Sequence, residues 1–343
     1  MIDLARDHSL KAHVRPIALG APASGLVWIG DAACFALGDG RVLAVESNGA
    51  VHGNGVVHKG AILCAARSPC GRAMICGDDV GDVRRTEPSG QSVLLGRFPG
   101  RWIEHIVTSA ESGIIAASVG KEVAVWNRQS DAQAHGFSLA STVTGLALDA
   151  KGRRLAAARY GGVSLFYALS PQSQPLPLEW KGSHIAVTLS PKADYAVSGT
   201  QETGLHGWRL PGREDMAMSG YEAKTRSFSW NRKGTWLATS GDTNAIIWPF
   251  EGRNGPMGKR PQLLAPSTYL VTRVAFHPSQ DVLAVGYADG AVVLARLHED
   301  MFLPVAAADQ SAITALEWDR AGQCLAWGSE DGHGGILDLR KAA

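Results

Sequence analysis

The chain has 343 residues, and its 33 Lys and Arg against 32 Asp and Glu leave a formal charge of +1. That balance supplies no global field to attract nucleic acid or an anionic membrane, so neither is expected as a partner. Hydrophobic residues make up 45% of the chain, which excludes intrinsic disorder as the main state.

No apolar run approaches the roughly 18 residues that span a bilayer. The first fifteen positions carry acids, bases and histidines in place of an apolar targeting core. The five cysteines, Cys34, Cys64, Cys70, Cys76 and Cys324, are odd in number and lack the Cys-x-x-Cys spacing of zinc sites. A soluble, cytoplasmic protein is expected, with reduced thiols packed as small hydrophobes and no cofactor.

In chain order the first predicted element is a strand over residues 12–19 (AHVRPIAL). Eight similar units follow, beginning at Leu26, Ile62, Ile103, Val143, His184, Thr225, Val271 and Ile313. Each reads as an apolar strand, a polar turn, a second strand, a tight turn and a third strand. The stretch before the next unit is long enough for a fourth. The tight turns align at Gly40, Gly81, Lys121, Gly162, Gly204, Asn244, Gly290 and Gly332. Glycine or asparagine suits most of these places because a two-residue hairpin turn needs positive φ.

Four short antiparallel strands repeated about every 40 residues describe an all-β propeller. Eight units predict eight blades, with seven as the alternative if Leu26 to Val45 folds outside the ring. Residues 1–343 then form one domain. The last unit ends too early to supply a fourth strand, so residues 12–19 are expected to close the ring on the C-terminal blade. Pro16 suits an outermost strand, which has one unpaired edge.

Trp126, Trp208 and Trp248 end the third strand in EVAVW, GLHGW and AIIW. His58 to Ile62 (HKGAI) leads into a unit, and Asp289-Gly290 and Asp331-Gly332 occupy tight turns. In these features the chain resembles the WD-repeat propeller family from about residue 12 to residue 340. It departs from the family pattern in having Asn127, Arg209 and Pro249 after the tryptophans. The resemblance implies a non-catalytic scaffold that binds a protein or peptide on one face, with the tryptophans packed between blades.

In such propellers the leading loops and tight turns share one end of the ring. This end carries Trp102, Arg159, Tyr160, Arg226, Tyr269 and Tyr287, the aromatic and Arg types that dominate interface hot spots, together with His184 and Tyr221. The first six are the expected partner-binding residues. On the opposite side, the longest connection, from Pro249 to Pro266, contains Arg253, Lys259 and Arg260 and reads as a basic loop.

No Gly-x-Ser-x-Gly elbow, phosphate-binding glycine loop or His-Glu-x-x-His pattern occurs, so no enzyme activity is expected. Two alternatives remain. One is a metal- or small-ligand-binding propeller using the central channel, where Cys64 and His105 align on neighbouring inner strands and Cys76 falls opposite Cys64. The other is a propeller hydrolase of unrecognised type.

Overall fold

The computed structural model describes residues 10–128, 131–210, 212–252 and 254–341. Its strands form six four-stranded antiparallel sheets and one six-stranded sheet. The four-stranded sheets span residues 23–56, 62–97, 106–138, 228–264 and 271–306, with a closing sheet made of residues 313–338 and the strand Val14–Ala18. The six-stranded sheet covers residues 145–218.

The first strand of each sheet lies innermost. Ala23–Ile29 touches both Ile62–Arg67 and Ile313–Trp318, and the latter touches Val271–Phe276, so the inner strands ring a central channel. These strands are linked across sheets by side chains reaching backbone groups. Thr108 Oγ1 donates to Arg67 O at 2.6 Å, Thr272 Oγ1 to Ile313 O at 2.7 Å, and Ser229 Oγ accepts from Phe276 N at 2.8 Å. Neighbouring sheets bury apolar faces against each other, as where Phe35 and Leu37 of the first sheet meet Ala326 and Ile336 of the closing one. Trp126, Trp208 and Trp248 are all buried, and Trp126 Nε1 donates to Leu95 O of the preceding sheet at 3.1 Å.

Tight-turn glycines have a second constraint besides φ. Gly40 sits at φ +84°, and a Cβ there would lie 2.6 Å from His58 O, because the turn presses against the loop leading into the next sheet. At the equivalent place in the second sheet, Gly81 sits at φ +96° and a Cβ there would collide with Phe98 O.

The expectation of eight blades is corrected: the ring closes with seven sheets. The units beginning at Val143 and His184 are not separate plates. Arg154–Tyr167 and Leu176–Leu189 each run through 14 residues of continuous strand. The first doubles back on itself, since Ala168 N donates to Arg153 O at 2.9 Å. The second pairs with Arg154–Tyr167 on one side and with Tyr195–Thr200 on the other. The stretch Trp180 to Ser183, read as a connection from sequence, turns at Gly182, φ +100°, yet Ser183 still pairs with Tyr160, so the ladder carries from one unit into the next. Elsewhere that connection breaks the strand.

The closing sheet runs in the order Val14–Ala18, His333–Asp338, Cys324–Ser329, Ile313–Trp318. Val14 pairs with Leu337 and Ala18 with His333, antiparallel throughout. Leu19 N donates to Gly332 O at 2.8 Å, and Arg41 of the first sheet reaches Leu19 O at 2.9 Å, so this strand also touches its neighbour in the ring.

Candidate binding face around the channel mouth

Antiparallel pairing puts the starts of the inner strands and the tight turns at one end of the ring. The predicted partner-binding residues gather there with unequal exposure. Trp102 is 62% exposed, Tyr160 68% and Tyr269 52%. Arg226 is exposed, and Arg159 is half-buried with Nε donating to Ser164 Oγ at 2.9 Å. Tyr287 is corrected: it is only 2% exposed, packs in the core, and donates its hydroxyl to Ala265 O. It has no surface to offer a partner.

His184 and Tyr221 are buried for the same reason: each polar atom is spent inside its unit. His184 Nδ1 meets Ser198 Oγ at 2.7 Å, and Ser198 in turn donates to His206 O. Tyr221 replaces the imidazole in the next unit, where its OH contacts Thr239 Oγ1 at 2.8 Å and accepts from Trp248 Nε1 at 2.7 Å. In the unit beginning at Ile62, His58 Nδ1 donates to Asp78 Oδ2 at 2.8 Å. The Ser198–His184 pair has nucleophile-and-base geometry, but both residues are fully buried, so no substrate reaches the hydroxyl.

A cavity of about 480 Å³ opens at this end of the channel, lined by Trp102, Glu104, His105, Ile185, Arg226 and Arg273 among others. The volume falls in the range of ligand sites. Burial, helped by Arg226, pushes the His105 imidazole down to about 4, so this ring is neutral at physiological pH. Arg273 is anchored to the channel wall: Nε donates to Thr314 O at 2.6 Å and Nη1 to Thr272 O at 3.1 Å. Sequence reading missed Arg273, although a lone cation inside the apolar strand VTRVAF was a visible signal. It also missed Trp180, whose partly exposed ring stacks on His206 at 3.8 Å.

The cysteine geometry is corrected as well. The turn sets Arg67 opposite Met74, and in that register Cys64 pairs with Gly77 and Ala65 with Cys76; a β-bulge follows only beyond Cys64, toward Ile62. The two thiols are not opposite one another. Cys64 points between sheets, where its thiol donates to Ile103 O at 3.0 Å, while Cys76 packs on the other side of its sheet with Cys34. His105 lines the cavity without Cys64 beside it. Among the described residues no group of three or more His, Cys, Asp or Glu side chains is placed to hold a metal ion.

At the far end of the channel the inner-strand residues Arg67 and Glu317 face one another electrostatically. Burial pushes the Glu317 carboxyl up to about 8, against the opposing pull of Arg67. A carboxyl raised in the folded state binds a proton that the unfolded chain has lost. Stability from this group is therefore present below the ordinary value of 4.5 and is lost as pH rises through about 8. Glu317→Gln should flatten this fall, so that the variant outlasts the parent at alkaline pH by up to a few kcal/mol. Thermal melts at about pH 5 and about pH 8.5 check it; parallel changes in both proteins would refute it.

With the geometry in place, residues 215–249 match the WD domain, G-beta repeat family, and residues 274–343 match the anaphase-promoting complex subunit 4 WD40 domain. Two stretches of the chain thus match WD-repeat models, and the chain folds as a β-propeller. A search of curated proteins returns no match. Among solved structures, the propeller resembles the computationally designed Ika8 protein at 17% identity and TM-score 0.79, covering 94% of this chain and 97% of that one. It resembles U3-55K at 16% identity and TM-score 0.64, and the RRP9 WD40 repeats at 15% and 0.62; each match covers 82% of this chain and 96% of the other. At such identities the likeness speaks for the fold alone. WD40 propellers are in general protein-interaction scaffolds.

Proposed function

We propose that this propeller is a non-catalytic scaffold that binds a protein or peptide across the channel-mouth face. The observation that carries the reading is the set of large, mostly exposed rings at one end, Trp102, Tyr160 and Tyr269. A soluble domain gains nothing in stability by leaving such area wet, whereas a partner that covers it gains apolar burial and directed hydrogen bonds. Arg159 and Arg226 supply the polar part of the same surface. The chain works without a cofactor and in the cytoplasm, where buried thiols such as Cys34 and Cys76 serve as packing. With near-zero net charge, neither nucleic acid nor a membrane is its partner.

A partner purified with the propeller provides the test. Trp102→Ala and Tyr160→Ala should each weaken its affinity by about 2 kcal/mol if central, with the melting temperature nearly unchanged because both rings are exposed. Unchanged affinity in both, with loss on deleting residues 254–260, would move the site to the opposite face. Arg253 of that opposite loop lies outside the described residues.

A further inference from the structure

The cavity at the channel mouth brings two guanidinium groups to one wall with no carboxylate paired to either. Arg226 makes no side-chain hydrogen bond or ion pair among the described residues, and Arg273 bonds only the backbone oxygens of Thr272 and Thr314. Glu104 shares the lining yet pairs with neither. Burial lowers the basicity of Arg273, and Arg226 adds to this, so the two cations disfavour each other. By contrast, Arg41, Arg85, Arg97 and Arg340 of this chain all have a carboxylate within 3 Å.

In a chain of net charge +1 this uncompensated pair is a local arrangement and no by-product of a basic surface. Arg273 is fixed by its backbone bonds, and Arg226 of the same cavity lining makes none among the described residues. That combination of one anchored fork and one adjustable fork fits a planar or tetrahedral oxyanion entering from the face. Trp102 lines the same cavity, so a chain lying on the aromatic rim would place its side chain within reach of both arginines.

We propose that Arg226 and Arg273 form an oxyanion pocket that receives an acidic side chain, carboxylate or phosphate, from the peptide bound on this face. The proposal rests on the face assigned above and adds the chemical class of the partner. A nucleic-acid strand is disfavoured because the cavity holds only two cations, with Glu104 beside them.

The test uses the whole chain and three probes: inorganic phosphate, a glutamate-containing peptide with flanking aromatics, and the same peptide with phosphoserine at the glutamate position. Binding is followed by calorimetry. At least one peptide should bind more tightly than inorganic phosphate, and Arg226→Gln, a change at an exposed side chain, should weaken it about tenfold or more while Arg226→Lys retains part of the affinity. Preference between the peptides identifies the anion as phosphate or carboxylate. Affinity unchanged in Arg226→Gln, no binding of either peptide at millimolar concentration, or inorganic phosphate binding as tightly as both would overturn the proposal. Failure of the face itself reads differently: Trp102→Ala would then leave the purified partner's affinity intact whatever the anion probes do.

Discussion

Removal of residues 1–18 is expected to lower the melting temperature by about 5 °C or more. The strand Val14–Ala18 supplies the outer edge of the closing sheet, pairing with residues 333–337, and Leu10 just before it is buried. Its loss strips five register pairs from His333–Asp338 and leaves that strand as a raw edge open to other chains. It also removes the Arg15 Nε bond to Ser47 O at 3.2 Å, which ties the closing sheet to the first. The cost is several kcal/mol, which at this chain length converts to roughly 1.5 °C per kcal/mol. A peptide of residues 10–20 added back should recover part of the loss. A truncated chain that melts with the parent would show that the ring is held shut by side-chain packing alone.

Asp78→Ala should destabilise the chain by about 3–5 kcal/mol, the range for removing one partner of a buried pair. Asp78 is fully buried and accepts three hydrogen bonds, from His58 Nδ1 at 2.8 Å, Val80 N at 3.2 Å and Asp82 N at 2.7 Å. Alanine leaves all three donors dry, and His58 Nε2 already has no partner. The same pair carries a pH signature. Burial lowers the affinity of His58 for a second proton, although Asp78 pulls the other way. A histidine held neutral in the fold favours the folded state above its ordinary value of 6.5, and that contribution is lost as pH falls below it. Urea unfolding followed by tryptophan fluorescence measures both effects. A loss below about 1 kcal/mol for Asp78→Ala would place the hydrogen bonds in the noise of ordinary neutral ones.

The repeat was legible because its punctuation is chemical. Gly40, Gly81 and Gly290 need positive φ, and the structure places them at +84°, +96° and +90°. The count of plates was less legible, because Gly182 turns the chain as a connection would while Ser183 still pairs with Tyr160; pairing with its neighbours, not local sequence, decides that the ladder continues. The Cys64 and Cys76 pairing failed by one residue: the turn sets Arg67 opposite Met74, and a one-residue shift puts each side chain across from the opposite face of its partner strand. At the candidate site, position in a loop was readable and direction was not. Trp102 and Tyr287 both sit at this end of the ring, but Tyr287 closes a strand whose every residue is buried, while Trp102 precedes its strand. Arg273 was hidden inside a strand because its role depends on the channel, which exists only once the ring has closed.

The six-stranded sheet makes the ring mechanically uneven. At its other seams, neighbouring plates are joined by packing, side chains and isolated main-chain bonds such as Ile103 N to Asp78 O and Val271 N to Asp242 O, and such joints open by small slips of rotamers and contacts. Between Arg154–Tyr167 and Tyr195–Thr200, main-chain bonds run around the circumference through Leu176–Leu189. That arc is a stiff segment in an otherwise hinged hoop, so breathing of the ring concentrates at the remaining seams. Its amides should be the last to exchange with deuterium. Tyr160 and Trp180 ride on this unyielding arc, and a partner gripping them would be held to the part of the ring that moves least.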